Sequence, residues 1–196
     1  MIRLALLRHG HTSWNRQGRL QGRTDIPLDE DARAHLSALC VPPAFGAHQV
    51  VSSPLQRAVE TATLVAQQAP DPVPDLIEMN WGDWEGQHGA ALRADPKSGY
   101  RDMEHWGWDF RPPNGEALAE VRDRLVPWVN GLQQDTLAVC HIGIMRVILA
   151  VAHGWDFLGP APFAVKRDRL FVIDIAADAW RPLSEPIRLE RRQPCA

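Results

Sequence analysis

IRLALLRHGHTSWN, residues 2–15, passes from an apolar run to a polar cluster at Arg8. Ile2 to Leu7 is short, and Arg8-His9-Gly10 follows at once. That length and that ending predict a buried strand feeding a loop. The same punctuation recurs twice more. Gln49-Val50-Val51 runs into Ser52-Ser53-Pro54, and Thr136 to Cys140 runs into His141-Ile142-Gly143.

Helical patterns separate these runs. After a polar, Gly-rich loop from Gly10 to Glu30, a helix capped near Asp29 is expected through Ala32, Leu36 and Leu39, ended by Pro42-Pro43. Pro54 suits the first turn of a helix through Ala58, Ala62, Leu64 and Val65. Val73 to Ile77 reads as a third strand. Glu116 to Leu132 is helical in spacing at Leu118, Val121, Leu125 and Val129 despite Pro127, and Ile144 to Val151 gives another helix. Asp168 to Ala177 is expected as a longer strand, and Arg188 to Ala196 as an edge strand. Strands alternating with helices predict an α/β fold, a three-layer α/β/α sandwich with a mostly parallel central sheet. Ligands of such sheets bind beyond the carboxyl ends of the strands, so the three polar loops should meet.

The composition narrows the function. The chain has 196 residues, 24 acidic against 21 basic, and a formal charge of -3. That length favours one domain spanning residues 1–196. The 45% apolar fraction is that of a globular protein. No basic stripe marks a nucleic-acid binder, and no apolar run reaches the ~18 residues of a membrane helix. Neither nucleic acid nor membrane is therefore an expected partner. Cys40, Cys140 and Cys195, odd in number and widely spread, suggest a reducing compartment, so a cytoplasmic location is expected. Residues 80–114 break the pattern, being irregular and rich in Trp, Gly, Pro and charge; such a segment predicts a lid or binding loop.

Two arginines and two histidines converging at the strand ends (Arg8, Arg57, His9 and His141, with Asn15 nearby) would make an anion site, because guanidinium forks match phosphate oxygens. A neutral histidine ring nitrogen is also a nucleophile toward phosphorus when its other nitrogen is held as a donor. Glu78, at the end of the expected third strand, is placed to protonate a leaving oxygen.

These residues carry a resemblance. LLRHGHTSWN, Leu6 to Asn15, resembles the signature of the histidine phosphatase superfamily, which includes the cofactor-dependent phosphoglycerate mutases. Four further stretches match in order: Gly18 to Leu28, Ser52 to Ala58, Glu78 to Gly86, and Cys140 to Arg146. The resemblance implies a phosphoglycerate mutase-like fold. It implies His9 as phosphohistidine nucleophile and Glu78 as proton donor, with Arg8, Asn15, Arg57 and His141 on the phosphoryl oxygens. Gln21 and Gly22 would line the substrate entrance. Ile142 departs from the pattern, since a glycine commonly follows the second histidine; its side chain would narrow the pocket beside the substrate.

Blander readings stand beside these. His9 alone would read as a surface or capping residue, His141 as a core histidine and Arg57 as an exposed helix residue. Asp83 and Glu85 compete with Glu78 for the acid role. His11 invites a metal reading, but no ligand pair accompanies it and the other histidines are scattered, so no metal and no cofactor are expected. Trp81, Trp84, Trp106 and Trp108 fit either an aromatic mouth over the site or mutual stacking. Hydrolysis of a small phosphomonoester is the leading expectation. The rivals are a mutase and a non-catalytic phospho-ligand module. Against the mutase stands the short spacing of 63 positions (141 minus 78) between Glu78 and His141.

Overall fold

Leu4 and Leu6 pack into one buried cluster while Ala5 and Leu7 pack into another, so the first strand is apolar on both faces. Only a sheet covered on two sides asks that of its sequence. A computed structural model of the chain describes residues 1–177 and 179–193 and shows this arrangement. Its strands are β1 (Ile2–Arg8), β2 (Leu39–Cys40), β3 (Gln49–Ser52), β4 (Asp71–Pro72), β5 (Thr136–Cys140), β6 (Arg169–Ile175), β7 (Trp180–Pro182), β8 (Ile187–Arg188) and β9 (Glu190–Arg191). Its helices are α1 (Ser13–Arg16), α2 (Glu30–Ser37), α3 (Gln56–Ala66), α4 (Gly89–Ala94), α5 (Leu118–Asn130) and α6 (Ile142–His153).

The central sheet runs β4-β3-β5-β1-β6-β7, with β8 also on β6. β4, β3, β5 and β1 pair in parallel, and β6 is antiparallel to β1, β7 and β8. Among the described strands of this sheet β6 alone therefore opposes the rest. The predicted mostly parallel sandwich is what forms. One face carries α2 and α3 with Leu28, Leu36, Ala58 and Val65. The other carries α5 and α6 with Val121, Leu125, Ile144 and Ile148. Pro127 is tolerated inside α5 because it and Asp123, whose carbonyl it frees, both lie on the exposed side.

Several expectations need correcting. Residues 73–77 are not a strand. Asp71–Pro72 pairs briefly with β3, and Pro74–Leu76 forms a 3-10 turn, because prolines at 72 and 74 cannot donate to a ladder. The helix through Leu39 stops at Ser37, and Leu39–Cys40 pairs instead with β9. The loop from Gly10 to Glu30 contains α1, capped by the Thr12 side chain. The expected last strand is two short pieces, β8 and β9; its end, including Cys195, lies outside the described residues.

The irregular stretch of residues 80–114 holds a 3-10 turn at Gly82–Trp84 and the short α4. Of its tryptophans, Trp81 and Trp106 meet each other, whereas Trp84 meets Tyr100 and Phe110 and Trp108 meets Phe157. Trp81, Trp84 and Trp106 are buried, with Trp106 stacked on Phe110 at 4.4 Å and 5° and edge-on to Trp81 at 5.9 Å. Trp81 and Trp106 also turn a side toward the cavity described next. Among the described residues no helix is long and apolar enough to cross a membrane.

Candidate active site

The carboxyl ends of β1, β3 and β5 meet. The His9 N–H donates to Cys140 O at 3.0 Å, and Ser53 N–H to Val139 O at 3.0 Å, so the three loops leave the sheet side by side. Above them opens a cavity of about 520 Å³. Of the residues singled out in the sequence, Arg8, His9, Asn15, Gln21, Glu78 and Ile142 line it. Arg57, His141 and Gly22 do not; all three are buried.

His9 is buried, and its Nδ1 lies 2.7 Å from the carbonyl of Gly10. A carbonyl only accepts, so Nδ1 carries the hydrogen and Nε2 keeps its lone pair. Burial foremost, then the charges of Arg57, Arg8 and Arg167, hold the ring's pKa well below the ordinary 6.5. The ring is therefore neutral at physiological pH. His141 packs against it with ring centroids 5.1 Å apart, and is likewise kept neutral by burial foremost and by the charge of Arg57. His141 Nε2 meets the Ser53 hydroxyl at 2.7 Å, while its Nδ1 is buried without a partner.

Arg8 is pulled down to about 9 by burial and by repulsion from Arg167 and Arg146, and its Nε is buried unpaired. Arg57, wholly buried on α3, spends its two terminal nitrogens on the backbone: Nη1 donates to Thr24 O at 3.0 Å and Nη2 to Gly22 O at 2.6 Å. Its Nε remains without a partner. Gly22 is thus a packing position. A Cβ there would stand 2.7 Å from Glu85 Oε2 and 2.9 Å from Met79 O.

Glu78 follows the 3-10 turn and is buried. Its pKa is raised by burial, against the pull of backbone N–H groups from Met79 (2.9 Å) and Gly143 (3.2 Å) and of Arg57 and Arg8. A carboxyl with a raised pKa and a neutral histidine thus border the same cavity. Of its rivals, Asp83 accepts from Asn114 at 2.9 Å and Glu85 from Thr24 N–H at 2.5 Å, and neither lines the cavity.

Sequence reasoning missed three guanidinium groups, one of them Arg93, which lines the cavity while paired with Asp102 at 2.7 Å. Arg146 lines the cavity one helical turn beyond Ile142, a spacing that the helix pattern could have exposed. Arg167 donates to the His9 carbonyl at 3.2 Å and to Asn15 Oδ1 at 2.9 Å across more than 150 positions, and no local signal announces it. Among the other arginines, Arg16 pairs with Asp29, Arg23 with Glu116 and Arg111 with Glu120, whereas Arg19 reaches the cavity. Among the described residues no three His, Cys, Asp or Glu side chains converge to hold a metal.

Residues 4–185 match the family model of the histidine phosphatase superfamily (branch 1). The chain belongs to this superfamily. Similar within it is the glucosyl-3-phosphoglycerate phosphatase of Mycolicibacterium vanbaalenii, 33% identical over 161 residues, 78% of this chain and 69% of that one. The probable phosphoglycerate mutase GpmB of Cronobacter sakazakii is 33% identical over 129 residues, 64% of this chain and 60% of that one. The crystal structure of a phosphoglycerate mutase from Thermus thermophilus superposes with a TM-score of 0.74 at 31% identity, over 97% of this chain and 100% of that one. The phosphoglycerate mutase-like fold is thereby established for this histidine phosphatase superfamily member.

Proposed function

We propose that the chain is a phosphomonoesterase that hydrolyses a small phosphorylated metabolite through a phosphohistidine at His9. The observation that carries this reading is the His9 ring itself. It is neutral, aimed by the Gly10 carbonyl, set among guanidinium groups and beside a carboxyl whose pKa is raised. Nε2 attacks phosphorus in line while the Glu78 carboxylic acid protonates the departing alkoxide. Water then attacks the phosphohistidine with the Glu78 carboxylate as base, releasing inorganic phosphate and restoring neutral His9. Arg8 and Asn15 take phosphoryl oxygens from the cavity side. The unpaired Nε of Arg57 and Nδ1 of His141 are the other donors available. Ile142, Trp81 and Trp106 line the part of the same cavity left for the organic moiety, and Gln21 lines it beside Asn15.

All these groups belong to the chain, so the reading requires no cofactor. It treats residues 1–196 as one domain with residues 80–114 as its lid, acting in the cytoplasm. The likeness to a mutase keeps a second reading in view, in which the phosphoryl group returns to another hydroxyl of the same metabolite.

The test is phosphate release from p-nitrophenyl phosphate, 3-phosphoglycerate and α-ribazole 5′-phosphate in EDTA, with His9→Ala as control. Release that vanishes in the variant supports the hydrolase. Interconversion of phosphoglycerates after priming, without release, makes the chain a mutase. Phosphate-dependent stabilisation without turnover makes it a binding module.

A further inference from the structure

Arg167 lies just before β6, half-buried, with both of its hydrogen bonds directed at neutral oxygens of the active-site loop. Burial foremost, with Arg16 nearby, pulls it down to about 10 against the opposing pull of Asp168, so it remains charged at neutral pH. Neither bond is an ion pair. A cation held at some cost among other cations calls for a reason beyond packing.

The reason lies in what it touches. A guanidinium can only donate, so the Asn15 amide must turn its oxygen to Arg167. The same oxygen also receives the Thr12 N–H at a longer 3.3 Å. Asn15 Nδ2 then points the other way and donates to Gln21 Oε1 at 3.2 Å. That oxygen is shared with the Thr12 hydroxyl at 2.8 Å, and Gln21 Nε2 is left buried without a partner. Asn15 and Gln21 both line the cavity. Each amide oxygen is thus held by two donors, that of Asn15 by Arg167 and, at longer range, the Thr12 N–H, that of Gln21 by Asn15 and the Thr12 hydroxyl. The second hydrogen of Asn15 Nδ2 and both hydrogens of Gln21 Nε2 remain for an anion.

We propose that Arg167 is a positioning residue that sets the polarity of an amide relay, Arg167 to Asn15 to Gln21, so that nitrogens and not oxygens face the bound phosphoryl group. Its Nε bond to the His9 carbonyl ties that relay to the loop carrying the nucleophile. Arg167 is itself anchored away from the cavity. Asp168 beside it has a left-handed backbone (φ 57°), accepts from Leu189 N–H at 3.1 Å through its carbonyl, and meets His35 of α2 at 2.8 Å through its carboxylate. The catalytic meaning rests on the phosphohistidine reading; the relay itself does not.

The test is a double-mutant cycle on the affinity for inorganic phosphate, which needs no turnover. Arg167→Met should weaken phosphate by about tenfold or more, the scale of a hydrogen bond to a charged group. Arg167→Glu, an acceptor that invites the amide to flip, should weaken it further. Arg167→Lys, which still donates to Asn15 Oδ1, should recover part of the loss. In an Asn15→Leu background Arg167→Met should cost little more, because the relay is already cut. Additive losses, or equal affinities for the Met and Lys variants, overturn the proposal, since a merely structural arginine gives that result. A wild-type protein that does not bind phosphate overturns it too. Ester hydrolysis is measured alongside: absent turnover with an intact cycle removes the phosphatase reading and leaves the relay standing.

Discussion

Gly143 and Glu78 are built against each other: the Gly143 N–H donates to Glu78 Oε2 at 3.2 Å, and a Cβ at 143 would stand 2.4 Å from Oε1. Gly143 lies in the first turn of α6, where backbone N–H groups have no helical partner. The helix start therefore offers its free donor to the carboxyl, and only a residue without a side chain allows the approach.

Gly143→Ala should accordingly separate activity from stability. Alanine favours a helix over glycine by about 1 kcal/mol, so the melting temperature should hold or fall only slightly. Displacing the pinned carboxyl should lower kcat on alkyl phosphates by about tenfold or more, the range of general acid catalysis being ~10²–10⁴. A variant with unchanged kcat would show that Glu78 reaches the leaving group from more than one position.

The elevated Glu78 pKa sets a direction for the pH profile. As acid it must be protonated, so kcat/KM on an alkyl ester should decline as pH rises through that raised value. Glu78→Gln should abolish this limb and slow alkyl esters far more than p-nitrophenyl phosphate, whose leaving group needs no proton. Equal slowing of both substrates would move the acid role to Asp83 or Glu85.

His9 links the site to folding stability. Its folded pKa is depressed below the ordinary 6.5, so the unfolded chain binds the proton first. The stabilisation from a neutral His9 is complete above pH 6.5 and is lost as pH falls toward the folded value. Glu78 has the opposite sign, its raised pKa favouring the fold at low pH and losing that contribution as pH rises through it. Comparison with His9→Gln in phosphate-free buffer isolates the histidine. The unfolding free energy of wild type minus variant should drop below pH 6.5 with a slope up to ~1.4 kcal/mol per pH unit. A flat difference would mean that the histidine is not held neutral.

The parts of this fold that could be read from sequence are those whose pattern is local. β1, β3 and β5 are short apolar runs stopped by polar residues, and α3, α5 and α6 carry their buried positions at helical spacing. The meeting of the three loops at the candidate site was legible for the same reason, because His9, Ser53 and His141 sit where strands end. The misreadings involve partners distant in the chain. Leu39 and Cys40 leave the helix pattern because β9 supplies a ladder about 150 positions later. Residues 73–77 look like a strand by apolar content, yet prolines at 72 and 74 withhold the hydrogens a ladder needs. Arg57 was legible as a residue of the site, but its hold on Gly22 and Thr24 was not, since backbone carbonyls leave no trace in a sequence.

The wall formed by Trp106 offers the last prediction. Its ring stacks on Phe110, its Nε1 donates to Arg101 O at 2.7 Å, and one side faces the cavity. Removing the ring deletes a buried aromatic and its stack at once, so Trp106→Ala should cost ~3–5 kcal/mol of stability, measured by urea unfolding. Trp106→Phe keeps an apolar ring against Phe110 and removes the indole N–H bond, so its smaller loss should combine the missing volume with an unpaired Arg101 carbonyl, about 1–3 kcal/mol. If the wall also grips the leaving group, the Phe variant should raise KM for bulky esters while leaving KM for p-nitrophenyl phosphate near wild type. The same KM change for large and small esters would assign Trp106 to packing alone.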